Sequence, residues 1–372
     1  MIRKFILFIA MYQTVYSIDN LVSIIDLVRQ NKASYQLIEA TTPFSFQRLQ
    51  LSLGDDVQPY QGAWEPIFIA TIPHGRVHSI CGWVTIDNCY IKELIWRNNL
   101  DYLNGVARVS ESQLHKVSGR VVVLAQMVAH SNYYHFLYEV LGRLSVIESQ
   151  GIKYDWLYVP CNKAWIKELL QLWGVDFSKI IQPLGDGYYI EADELIIPSF
   201  LVNTCFEKEP DFGGYLRPNI IATIRNKLVN AANNIESSQV YAKKIFISRK
   251  DASIRRVTNE DEVFEFFKAK GFVRYEPGKL AVVEQIKLFA QAEIVVAVHG
   301  ASSINMMFCK QGTKYIELFQ ALRDGTFSFL AQTMHMDYTA VQTAEFLTNH
   351  SPAVHAHAAM PLFIVKSVAD KL

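Results

Sequence analysis

The segments KKIFISRKDASIRR (243–256) and EIVVAVHGASSINMMF (293–308) decide how this chain folds. In each, a run of β-branched and aromatic residues stops at a polar turn, and a helical pattern follows. A strand that ends this way presents a ligand site in an α/β domain. The first backbone N–H groups of the next helix are unpaired and carry partial positive charge, which suits a phosphate. Arg249, Arg255 and Arg256 add guanidinium forks that match phosphate oxygens in pairs. The combination points to a ligand carrying a diphosphate.

Working outward, the pattern predicts strands over 244–248, 272–275, 294–298 and 315–318. Helices are expected over 258–270, 282–292, 302–308 and 326–334, the first capped by Thr258 with Asp261 at its third position, as in a capping box. Strands separated by helices of about ten residues indicate βαβ units and a parallel sheet. Upstream, RVVVLAQMV (120–128) reads as a strand buried on both faces. A helix over 132–150 follows, with Phe136, Leu137, Val140, Leu141, Leu144 and Ile147 on its apolar side. Strands over 156–159 and 195–198 and helices over 164–173 and 220–233 continue the alternation. Short β-rich runs occupy 67–85, and the first 55 residues give mixed signals.

A chain of 372 residues suits two domains. The Gly-, Pro- and charge-rich stretch 203–218 is the expected linker, separating an N-terminal domain (1–215) from a C-terminal one (216–372). Two α/β domains facing one another form a cleft, the usual place for a ligand.

Formal net charge is zero, so bulk electrostatics give no basis for nucleic-acid binding, and any anion site must be local. The five cysteines are dispersed without C-x-x-C spacing and read as reduced, mostly core thiols. There is no phosphate-binding G-x-x-x-x-G-K-[ST] loop, no G-x-G-x-x-G fingerprint and no H-E-x-x-H. No Asp-x-Asp triplet is present to hold a divalent ion against a diphosphate. No metal is expected, and arginines and helix ends must supply the positive charge. At the N-terminus, Arg3 and Lys4 precede an apolar run over 5–11, shorter than the roughly 20 residues a membrane span needs. The run lacks a clear small-x-small cleavage site, so a strand or interfacial segment is expected ahead of a cleaved signal. No transmembrane segment is expected elsewhere, and the setting expected is cytoplasmic with peripheral membrane contact.

Three groups carry candidate chemistry. In NYYHFLYEVLGRL (132–144), His135, Glu139 and Arg143 recur every four residues, with Asn132 on the same face of a helix. A carboxylate beside an imidazole fixes its orientation, which is the logic of a general base and its orienter. The bland alternative is a salt-bridged, solvated helix face. In the turn after Val298, Gly300 and Ala301 let a ligand approach the backbone. Ser302 and Ser303 can cap a helix or bond a phosphate, and Asn305 lies one turn further on. A Ser-His hydrolase is the competing chemistry, weakened because the G-x-S-x-G elbow is absent. Glu317, at the end of the next strand, could accept the hydroxyls of a ribose, or serve as a capping or surface residue.

Together NYYHFLYEVLGRL (132–144), KIFISRKDASIRRVTNEDEV (244–263), VVEQIKLFAQAEIVVAVHGASSINMMF (282–308) and GTKYIELF (312–319) resemble glycosyltransferase family 61. The likeness extends over roughly 60–340. Departures are Phe136 where many members carry Trp, Glu139 where Asp is usual, and Gly142 in place of a common Pro. The resemblance implies a GT-B-like fold, with two Rossmann-like domains facing across a cleft and the donor on the C-terminal one. It implies inverting sugar transfer from a nucleotide sugar, UDP-linked by default, to a glycan, glycolipid or protein-linked acceptor in surface polysaccharide biosynthesis, with no tightly bound cofactor. By position, Arg249 and the His299, Gly300, Ala301, Ser302, Ser303 turn would face the diphosphate, with Arg255 or Arg256 as a second contact. Asn305 would support that turn, Glu317 would sit near the ribose, and His135 with Glu139 would act as base. The alternative is a non-catalytic protein that keeps the fold and binds sugar nucleotides.

Overall fold

The computed structural model describes residues 21–46, 60–96, 114–184, 188–202, 204–206, 215–319, 325–342 and 357–372. The N-terminal apolar run and most of the expected linker lie outside the described residues. Two larger sheets of different character, beside a three-stranded one, organise the described residues.

The C-terminal sheet has five parallel strands in the spatial order Val273–Tyr275, Lys244–Ile247, Ile294–Val298, Lys314–Phe319, Asp337–Gln342. Numbered along the chain this is 2-1-3-4-5, so the order reverses between Lys244–Ile247 and Ile294–Val298. Crossovers diverge to opposite faces at such a point and leave a crevice at the strands' carboxyl ends. Both turns quoted at the outset open into that crevice. Side chains alternate between two cores, as a period of two requires. Ile245, Ile247, Val295 and Ala297 face one core, and Phe246, Val296 and Val298 face the other.

The N-terminal sheet is mixed, which departs from a Rossmann-like expectation. Leu114–Val123 lies parallel to Trp156–Tyr158 and to Tyr189–Pro198. Tyr189–Pro198 then runs antiparallel to Ile67–Pro73 and Arg76–His78. The cause is local. A two-residue turn at Asp87 and Asn88, both left-handed (φ 48° and 62°), folds Trp83–Ile86 back on Cys89–Ile91. Such turns match strand twist and produce antiparallel neighbours.

The expected helix over 132–150 forms, with one change. Tyr133–His135 is α-helical, Phe136–Val140 opens into a π-turn, and Leu141–Ser149 returns to α. It is buried on all sides from Phe136 to Ile147 rather than along one stripe, because it lies between the N-terminal sheet and the helix Pro218–Asn233. Gly142 allows that approach: a Cβ there would stand 2.6 Å from Leu201 Cδ1 and 2.9 Å from Ile220 Cγ2. One apolar core runs without a break from Val122 and Leu137 through Ile224 to Val295 and Met306, so the two halves share it.

Three local expectations change. The helix expected over 258–270 spans Glu260–Lys268 with Asn259 as its N-cap and no capping box. Asp261 is drawn instead to Lys250 and Arg274, at 2.5 and 2.6 Å. These hydrogen bonds hold its carboxyl down to about 2. The strand expected over 120–128 stops at Val123. The strand Asp337–Gln342, parallel to Lys314–Phe319, follows the last element expected from the sequence pattern. Among the described residues Cys81, Cys89, Cys161 and Cys309 are not disulfide-bonded, and the last two are buried. No helix among them is long and apolar enough to cross a membrane.

Candidate functional site

His135 and Glu139 form a hydrogen-bonded pair, Nδ1 to Oε1 at 2.6 Å. The Asn132 side chain starts their helix by accepting from the backbone N–H groups of Tyr134 and His135, at 3.0 and 3.5 Å. The π-turn falls on the segment carrying Glu139; such wide turns recur at functional sites. Glu139 is fully buried, and its Oε2 accepts from Trp96 Nε1 at 2.7 Å and from the Gln126 amide. Three donors therefore fix a carboxylate that burial alone would make costly. Trp96 and Tyr134 stand edge-on to the His135 ring, at 5.4 and 4.9 Å.

Arg143 does not extend this group into a salt-bridged face. Its guanidinium turns inward and donates to the carbonyls of Pro198, Val123 and Leu124, at 2.8 to 3.2 Å, tying the helix to the strand ends. Burial lowers its pKa to about 9, which leaves it charged at neutral pH.

The second group assembles at the switch point of the C-terminal sheet. Glu260, in the first turn of its helix, accepts from Ser248 Oγ at 2.6 Å and from the Arg249 backbone N–H at 3.0 Å, fixing the end of the strand. Arg249 Nε donates to Ile254 O at 3.2 Å, and its guanidinium then lies over Gly300. A Cβ on Gly300 would sit 1.8 Å from Arg249 Nη1. With φ 170° its backbone is ordinary extended chain, so close approach is what calls for glycine. Burial, then the neighbouring charge of Arg255, brings Arg249 down to about 10. Two guanidinium groups held this close repel, and an anion between them relieves the repulsion. Arg255 is half-buried, while Arg256 is exposed and bonds through its backbone.

His299 is covered. Its Nδ1 lies 2.7 Å from Glu317 Oε1, and its ring stacks on Phe319 at 4.8 Å. Glu317 is fully buried, and its Oε2 accepts from the Tyr338 hydroxyl. Both oxygens are thus engaged inside the turn. Ala301–Phe308 forms a 3-10 helix, with the Ser303 N–H donating to Gly300 O at 2.9 Å. Ser303 is fully buried, unlike an exposed nucleophile, and Ser302 is half-buried.

The two groups are joined directly. Tyr133 OH donates to Asn305 Oδ1 at 3.0 Å, and Asn305 Nδ2 donates to Gln285 Oε1 at 2.9 Å. Phe327 touches Tyr134 on one side and His299 on the other, at 5.9 and 5.6 Å. The helix carrying His135 and the turn carrying His299 therefore meet through one amide and one ring. Among the described residues no cluster of three or more His, Cys, Asp or Glu could hold a metal ion.

The glycosyltransferase 61 family model matches residues 133–316, which span both groups. Over that span the chain belongs to glycosyltransferase family 61. Membership makes it a glycosyltransferase, with a sugar donor and an acceptor as its substrates. No curated protein matches the chain.

Several residues that complete these two groups escaped the sequence reading. Glu260 had a signal, an acid in the first turn of a helix that follows a strand end. Trp96, Gln126 and Tyr338 had none, since each reaches its carboxylate from another part of the chain.

Proposed function

We infer that this chain is an inverting glycosyltransferase of GT-B-like organisation. Its residues 216–372 take a UDP-linked sugar and its residues 1–215 take a glycan or glycoconjugate hydroxyl. The observation that carries this reading is the packing of the Arg249 guanidinium on Gly300, at the switch point of a parallel sheet. A diphosphate lying there would meet Arg249, Arg255 and the N–H groups that begin at Ala301. The charge it needs comes from the chain itself, in keeping with transfer that requires no metal.

In the reaction the acceptor oxygen bonds to the anomeric carbon as the bond from that carbon to the phosphate oxygen breaks. The electron pair leaves with the nucleoside diphosphate, and guanidinium groups aimed at the growing charge stabilise the transition state more than the ground state. With Nδ1–H given to Glu139, His135 Nε2 carries the lone pair that takes the hydroxyl proton. The geometry favours His135 over Glu139 as that base: its side chain is 13% exposed, whereas Glu139 is 0% exposed and already accepts from three donors. Glu317 works through His299, holding the turn, in place of the ribose contact expected for it.

The test is release of nucleoside diphosphate from a panel of nucleotide sugars, with and without acceptors. Transfer by the wild type, lost in His135→Ala with donor binding kept, supports the reading. Donor binding without turnover on any acceptor sinks it in favour of a binding protein.

A further inference from the structure

The C-terminal residues 357–360 run beside 256–259 and are bonded to them along their whole length. The Arg256 N–H donates to His357 Nδ1 at 3.0 Å, and the Ala358 N–H donates to Arg256 O at 3.1 Å. The Thr258 N–H returns to Ala358 O at 3.0 Å, forming a parallel bridge between Val257 and Ala358. The Asn259 amide then closes on Met360, donating to its carbonyl at 2.9 Å and accepting from its N–H at 2.8 Å. The helix Leu362–Ala369 anchors this strip, with Val365 and Ala369 buried in the same core as Val263, Phe264 and Phe267.

What the strip holds gives it meaning. At one end of 256–259 is Arg255, left-handed at φ 55°, a conformation that L-residues keep only when their surroundings enforce it. At the other end is Glu260, whose carboxylate fixes Ser248 and the Arg249 N–H. One clasp therefore bears on both arginines of the anion site, on Arg255 through the adjoining Arg256 backbone and on Arg249 through Glu260.

We propose that residues 357–360 are a working part of the diphosphate site, and that His357 is a positioning residue for Arg255 and Arg249. This rests on the phosphate reading above. His357 touches no ligand. Its Nδ1 accepts a backbone proton, so its own ring proton sits on Nε2, and it is exposed, so replacing it removes that one bond of the clasp without opening a core. Asparagine can place an acceptor where Nδ1 stands; alanine cannot.

The experiment measures binding of UDP and of inorganic pyrophosphate to the full chain by calorimetry, alongside melting temperature. The proteins compared are wild type, His357→Ala, His357→Asn, Asn259→Ala and Arg249→Ala. Loss of one such hydrogen bond predicts roughly fivefold weaker binding of both probes by His357→Ala. Asn259→Ala is expected to lose at least as much, while His357→Asn stays near wild type with an unchanged melting temperature. Wild-type affinity in both His357→Ala and Asn259→Ala, with Arg249→Ala weakened, overturns the clasp and leaves the phosphate site standing. Equal weakening in His357→Ala and His357→Asn overturns the positioning role of His357. Undiminished binding by Arg249→Ala overturns the phosphate reading, and the clasp's role with it.

Discussion

The two histidine–glutamate pairs of this molecule are made of the same atoms and differently covered. Each brings Nδ1 to a fully buried carboxylate, at 2.6 Å in His135–Glu139 and 2.7 Å in His299–Glu317. In each, the second carboxylate oxygen accepts from an aromatic side chain, Trp96 or Tyr338. The difference lies in what covers the ring. The His135 side chain is 13% exposed and that of His299 3%, the latter packed against Phe319 and Phe327. A ring that reaches solvent can meet a hydroxyl and take its proton. One sealed under aromatic rings can only hold a turn in place. Under the function proposed above, cover decides which dyad would do chemistry and which would only hold the fold.

The sharpest way to break this contrast is His135→Ala. Loss of a general base predicts a fall in kcat of about 10²–10⁴, with UDP affinity unchanged; a parallel loss of binding would make His135 structural. His299→Ala should do the reverse. It leaves Glu317 Oε1 buried without its imidazole partner, which costs about 3 kcal/mol, the upper end for an unsatisfied buried polar group, read as a lower urea midpoint with the slope unchanged. Wild-type stability in that variant would place His299 among the reacting groups instead. Arg249→Ala comes next, with loss of charge-assisted bonds worth about 1.5–3 kcal/mol weakening UDP binding roughly 10- to 100-fold. The smallest effects come from the two aromatic donors. Trp96→Phe and Tyr338→Phe each remove one hydrogen bond worth about 1 kcal/mol. The first should lower turnover more than donor affinity, and the second should lower stability and donor affinity more than turnover. If both move the same quantity, the two pairs are not functionally distinct.

How much of this was legible depended on distance along the chain. His135 and Glu139 are four residues apart on one helix, so spacing alone announced them, and Ala164–Trp173 was readable because its period and its glycine stop are local. The wide turn at Phe136–Val140 was invisible, since nothing in FLYEV marks it. Arg143 shows the opposite failure. Spacing put it beside Glu139, but the carbonyls of Pro198, Val123 and Leu124 offered a buried cation more than a single carboxylate did. Asp261 was misread as a capping partner because Lys250 and Arg274, which claim it, come from outside its helix.

The sequence by itself determined the alternation of strand and helix, the polar turns at Arg249 and His299, the family, and the residues able to neutralise a phosphate. Those follow from periodicity and side-chain chemistry, which act over a few residues. Only the tertiary structure decided that Arg249 lies on Gly300, that Asn305 bonds Tyr133, and that Glu317 turns into its own core. Each of these joins residues far apart in the chain, and which partners meet is settled by how two sheets bury a common apolar core.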